Sequence, residues 1–129
     1  MKIKLTTFYA LQAIHKIYKT QEEVVTSNKI AQDTGISQGV LLRLLRGLDK
    51  ADILKAHQGR GNVSGGFSLN RNIDNITLLE IIDIFEGVDI RKNLEGDLRI
   101  DSEQFCGSLN EINEHIREEL SKYTVQDLF

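Results

Sequence analysis

The sequence predicts a mainly α fold with one small β-hairpin and a long C-terminal helix, and three observations carry that expectation. Two helical stretches joined at a glycine corner run from Thr26 to Lys50. A glycine-rich segment between two short alternating runs follows them. An apolar stripe in helical steps then closes the chain. With 129 residues and a hydrophobic fraction of 40%, the chain is long enough to bury one core without disulfide or metal staples.

The first helix spans Leu5 to about Lys19, with Leu5, Phe8, Leu11, Ile14, Ile17 and Tyr18 as a broad apolar face. His15 lies on or beside that face. No metal-type residue stands at i+3 or i+4, so it reads as a partly buried histidine rather than a ligand. Glu22 and Glu23 begin a polar link. Thr26 or Ser27 then caps a second helix, because a side-chain oxygen there accepts from the free amides of the opening turn. Ile30 and Ala31 are its buried stripe and Gly35 ends it. Ser37 is the next N-cap. Leu41, Leu44, Leu45 and Leu48 share one face of the following helix, while Gln38, Arg43, Arg46 and Lys50 lie largely off it. One side packs and the other is polar and cationic, which is the pattern of a helix-turn-helix whose second helix can lie in the major groove of DNA.

After Lys50 the period changes. Residues 53–58 read as a strand, the loop GRGNVSGG follows, and Phe67 to Asn70 alternate as a return strand. Standing alone this would be a hairpin with a solvated arginine, but directly after a helix-turn-helix it reads as a wing. Gly59, Gly61, Gly65 and Gly66 permit positive dihedrals and close approach to another surface, and Arg60 near the tip suits a minor groove. The loop is not a phosphate cradle, since no βαβ strand precedes it and no Gly-Lys-Ser/Thr follows.

Thr77 to Glu80 form a capping box ahead of Leu78, Ile81, Ile82 and Phe85, a helix that Gly87 ends. Residues 88–105 have no clear period and hold Asp89, Glu95, Asp97, Asp101 and Glu103, as expected of an exposed acidic connector without calcium-loop spacing. Ser108 and Glu111 suggest a second capping box, opening a helix with Leu109, Ile112, Ile116, Leu120 and Tyr123 on a narrow stripe. Such a stripe packs along one partner, either the chain's own domain or a second copy. Thr124 can cap a last turn. The expected division is a winged helix-turn-helix domain over 1–87, the connector over 88–105, and a dimerisation helix with its tail over 106–129.

Charge sharpens the reading. The net charge is −3, yet residues 1–71 hold eleven cations against five anions, and the remainder five against fourteen. A basic half attracts phosphates whatever the total. No apolar run reaches the roughly 18 residues of a membrane span, no secretory leader is evident, and a single cysteine excludes an internal disulfide framework. These features place the chain in the cytoplasm. No nucleophile-base pair, metal-ligand spacing or phosphate loop is present, so no catalytic residue and no metal ligand is assigned.

In the order of its segments the chain resembles the Rrf-two (Rrf2) family of bacterial transcription regulators. The resemblance is carried by KLTTFYALQAI, NKIAQDTGISQGVLLRLLRGLDKADIL, the wing ending GGFSL, ITLLEIIDIFEG, and the closing segments from Cys106 to Leu109 and Tyr123 to Leu128. It implies a homodimeric repressor or activator with the helix near Ser37 in the major groove, the wing in the minor groove and a crossed C-terminal dimer helix. Several family members hold an iron-sulfur cluster on three cysteines about six residues apart. Counting back from Cys106 by that spacing gives Ile100 and Leu94, so no such cluster is expected here. Two further departures are Gly39 and Gly47 within the reading helix and a wing lengthened by Asn62, Val63 and Ser64.

On this reading Ser37, Gln38, Val40 and Arg43 face base edges of double-stranded DNA. Lys2, Lys4, Lys29 and Arg46 face phosphates, and Arg60 the minor groove. Leu109, Ile112, Ile116, Leu120 and Tyr123 form the homodimer seam, which suits a reader of two half-sites one helical turn apart. Cys106, at a predicted helix N-terminus, is either a thiol redox sensor or a small buried hydrophobe. The alternative function is a winged-helix module that binds another protein, such as a metabolic enzyme, and a small-molecule effector is a further candidate partner.

Overall fold

The computed structural model describes residues 3–59, 65–87 and 103–129. Its elements are α1 (Leu5–Lys19), α2 (Ser27–Thr34), α3 (Gln38–Lys50), β1 (Leu54–His57), β2 (Gly66–Leu69), a short 3₁₀ turn (Ile73–Asn75), α4 (Leu78–Phe85), α5 (Glu103–Ser121) and α6 (Val125–Leu128). One core unites them. Leu41, Leu44, Leu45 and Leu48 of α3 meet Ile14 of α1, Ile30 of α2, Ile53, Leu54, Ile76 and Ile81, all essentially excluded from solvent. Each such side chain contributes about 1.5–3 kcal/mol relative to exposure.

The face of α1 differs from the expected one. Thr7, Ala10, Leu11, Ala13, Ile14 and Ile17 are buried, whereas Leu5, Phe8 and Tyr18 are exposed. Scoring positions by apolar size overlooks the alanines, whose small side chains let neighbouring helices approach closely. Of the two expected caps Thr26 is the one used for α2, accepting from the Lys29 amide at 3.2 Å, and Gly35 ends that helix in the left-handed region at φ 76°. Ser37 occupies the N-cap of α3 but makes no capping hydrogen bond with its side chain.

β1 and β2 pair antiparallel from Leu54↔Leu69 to His57↔Gly66. Val25, expected within a polar link, instead exchanges two backbone hydrogen bonds with Phe67, at 2.9 and 2.8 Å, and adds a one-residue third strand. This contact explains one of the wing glycines. A Cβ on Gly66 would stand 2.4 Å from the Val25 carbonyl oxygen, and one on Gly65 the same distance from that of His57. Both positions are required by the protein's own backbone rather than by an approach to another surface. Asp49 Oδ1 accepts from the Ala56 amide at 3.1 Å, and a His57 ring nitrogen bonds Ser68 Oγ at 2.8 Å, so the base of the wing is tied to α3 and cross-braced. Arg60, Gly61 and the inserted Asn62 to Ser64 lie outside the described residues.

Half of the predicted capping box at α4 is present. Thr77 Oγ1 accepts from the Glu80 amide at 3.2 Å, but the Glu80 carboxylate is engaged by Arg71 instead of reaching back. The long helix α5 already runs at Glu103, so Ser108 is an exposed interior position and not a cap, and the expected boundary at 106 falls inside the helix. Nothing in the run from Glu103 to Cys106 opposes helix, and Glu103 and Gln104 favour one. α5 rests on α4 of its own domain, where Arg117 holds Asp83 through two hydrogen bonds of 3.0 and 2.9 Å. The chain then returns to the core. The Thr124 and Asp127 capping box opens α6, Val125 is fully buried, and its amide donates to the Ile76 carbonyl at 2.9 Å.

Two stability predictions follow from this packing. A methyl at Gly39 would meet nothing within 4 Å, whereas one at Gly47 would lie 3.3 Å from the Phe85 ring. Gly39→Ala should therefore raise stability by about 0.5–1 kcal/mol in urea unfolding, and Gly47→Ala by less, because the ring must shift. His15 stacks on Phe129 with ring centroids 4.3 Å apart, and burial, followed by Lys19 and Lys16, lowers its pKa. The unfolded chain then binds more protons than the folded one, so this residue's contribution falls as pH drops through about 6.5. Melting curves between neutral and mildly acidic pH should show a smaller decline for His15→Gln than for the unaltered chain.

Candidate nucleic-acid interface

The outward face of α3 follows directly from which of its residues are buried. With four leucines committed to the core, the helix turns Ser37, Gln38, Gly39, Arg43 and Arg46 to solvent. Arg43 and Arg46 carry full positive charge and form no ion pair among the described residues. The missing side-chain cap at Ser37 leaves the opening amides of α3 available on the same end, where the helix dipole favours negative charge. Gly39 adds a stretch of bare backbone to this surface, so the helix can lie close against another molecule there.

Other predicted residues are placed differently. Gln38 Nε2 donates to Ser27 Oγ of α2 at 2.9 Å, an exposed contact that braces the corner between the two helices. Lys29 pairs with Glu22 at 3.1 Å, but both groups are about half exposed and such pairs exchange partners at little cost. Val40 is half-buried and leans on the core, so it is drawn away from the outward face. It lines a shallow groove with Thr6 of α1, Arg43 and Leu44 of α3, and Phe85 of α4. Lys4 is exposed at the N-cap of α1, two residues before Thr6 of this groove. Lys2 and Arg60 lie outside the described residues.

The groove and the end of α4 bring in residues that sequence reasoning missed. Thr6 and Phe85 belong to helices assigned to the core alone, and Glu86 directly follows Phe85. Glu86 is half-buried, and its Oε2 accepts from the Lys4 amide at 2.8 Å and from Thr7 Oγ1 at 2.7 Å. A pairing of residues some eighty positions apart has no local signature.

On α5 the predicted seam divides. Leu109, Ile116 and Leu120 are half-covered, whereas Ile112 and Tyr123 remain 49% and 45% exposed. Phe105, one turn before the stripe, is exposed as well. Among the described residues α4 packs along α5, where Asp83 holds Arg117, while Ile112 and Tyr123 keep their exposure. Cys106 is exposed within the first turn of this helix as described.

Comparison with known proteins agrees with this architecture. A family model described as Rrf2, an iron-dependent transcriptional regulator, matches residues 3–129. Over 99 residues the chain is 29% identical to BadM of Rhodopseudomonas palustris, which bears the name of an HTH-type transcriptional regulator. That match takes in 75% of this chain and spans 62% of the length of that relative. Among solved structures, T. potens IscR superposes with a TM-score of 0.72 at 26% identity, covering 99% of this chain and 85% of that one. CymR, the global cysteine regulator of B. subtilis, superposes with a TM-score of 0.73 at 28% identity, covering 99% and 95% respectively. Winged helix-turn-helix geometry, a basic outward reading helix and a family match over almost the whole length converge, and the chain belongs to the Rrf2 family of transcriptional regulators.

Proposed function

We propose that this chain binds a two-fold operator in double-stranded DNA as a homodimer and acts in the cytoplasm as a repressor. The observation that carries the reading is the division of α3 into a fully buried leucine face and an outward face presenting Arg43 and Arg46 beside uncapped amides. Arg43 is suited to a guanine edge, which a guanidinium meets with two parallel hydrogen bonds. Ser37 and Gln38 flank it toward the bases, while Arg46, Lys29 and Lys4 serve phosphates. Val40 contributes an apolar wall of the groove and not a base contact. The second copy covers the exposed apolar side chains Ile112 and Tyr123 of the α5 stripe, which would otherwise leave large apolar surface in water. No helix among the described residues is long and apolar enough to cross a membrane.

The donor set of this chain does not fit a three-cysteine iron-sulfur cluster. Cys106 is the single cysteine of the sequence. Among the described residues no group of three or more His, Cys, Asp or Glu side chains is placed to hold a metal ion. No step of the proposed regulation is therefore routed through iron.

Three measurements test the reading. Arg43→Ala should cost about 1–3 kcal/mol of operator affinity and relax base choice at one position of each half-site; an unchanged footprint and affinity would take Arg43 out of the interface. Gly39→Ala, stabilising in the free protein, should weaken binding if bare backbone is needed against DNA, and equal affinity would remove that requirement. Ile112→Asp should shift the species in sedimentation from dimer to monomer while leaving the unfolding midpoint near that of the unaltered chain, and a persistent dimer would move the seam elsewhere.

A further inference from the structure

The last turn of α4 is the place where the two outer edges of the candidate interface are joined. Phe85 packs over α3, its ring 3.3 Å from where a Cβ on Gly47 would stand, and shares the groove with Thr6, Val40 and Arg43. The next residue, Glu86, reaches instead to the start of α1. Its Oε2 takes the Lys4 amide proton at 2.8 Å and the Thr7 hydroxyl proton at 2.7 Å. Thr7 is fully buried, so its hydroxyl has no access to water. Lys4 is the N-cap of α1 and makes no side-chain cap of its own. Glu86 thus supplies from a distant element the oxygen that an N3 Glu or Gln supplies to the N-cap amide in a capping box, and a carboxylate there also complements the helix dipole.

We infer that Glu86 is a positioning residue for DNA binding: by holding the Lys4 backbone and the first turn of α1 against the tip of α4, it sets Lys4 in register with Arg43. The inference rests on the DNA-binding reading above. The physical argument is one of reach. A lysine side chain finds a phosphate only if its backbone is held still, since four rotatable bonds already cost it entropy. At the start of α1 there is no preceding element in the described residues to hold it, and the core grips the helix only from Thr7 inward. The two hydrogen bonds to Glu86 extend that grip outward to Lys4. Phe85 fixes the same turn to α3, so the spacing between Lys4 and Arg43 is carried by two adjacent side chains of α4.

Binding of the full chain to a fluorescently labelled mixed-sequence duplex, followed across a salt series, tests this without knowledge of the operator. Each phosphate contact contributes about 0.9 to the slope of log affinity against log salt. Glu86→Ala should bind several-fold more weakly with a slope shallower by about one, matching Lys4→Ala, and the double variant should lose nothing more. Glu86→Gln keeps an oxygen that accepts both protons and should restore slope and affinity. Glu86→Asp, one methylene too short to reach both donors, should not. A fraction of misfolded protein lowers the signal amplitude and leaves the slope unchanged, so weaker binding at constant slope would assign Glu86 a purely structural role and overturn the inference. An additive loss in the double variant would do the same. A flat salt response in the unaltered chain would instead overturn the DNA-binding reading itself, and that outcome is visible before any variant is made.

Discussion

Four leucines on one face of a thirteen-residue helix constrain the rest of this molecule. Once Leu41, Leu44, Leu45 and Leu48 are withdrawn from water, α3 has no rotational freedom about its axis, and the residues between them must face outward. Turning the helix far enough to bury Arg43 would strand an unpaired charge in the core and expose leucine, with both changes unfavourable by several kcal/mol. The chemistry of the outward face is therefore set by the packing of the inward one. α1 and α2 supply the walls of that packing, the hairpin closes its end through Ile53 and Leu54, and α4 lies across the remainder.

Close packing explains several glycines that composition alone would assign to mobility. Gly66 admits the Val25 carbonyl, so that the hairpin gains a third short strand and the link between α1 and α2 is anchored to the wing. Gly47 admits the Phe85 ring, so that α4 sits down on α3. Gly39 is different in kind, for none of the described residues occupies the space beside it. A glycine in open space on the proposed reading surface is a helix weakness that internal packing does not account for.

The acidic and basic halves of the sequence meet at α4. Toward the reading face this helix offers Phe85 and Glu86; toward the C-terminal segment it offers Asp83, which fixes Arg117 of α5. One eight-residue helix therefore touches the groove on one side and the α5 flank on the other.

By itself the sequence determined the helix-turn-helix, a capped start of α2 at Thr26 or Ser27, the hairpin, the last capped turn at Thr124 and the outward arginines of α3. All of these are written in local spacing and in residue types whose preferences act within a few positions, such as N-caps, a helix-ending glycine and a leucine period. Only the tertiary structure decided that Leu5, Phe8 and Tyr18 lie outside while alanines pack inside, that α5 runs through Ser108, and that Val40 turns inward. It alone brought Val25 to the wing, Val125 to Ile76, and Glu86 to Lys4 and Thr7. Those outcomes depend on which surfaces meet across the chain, and a hydrogen bond between distant residues exists only after the core has brought them within reach.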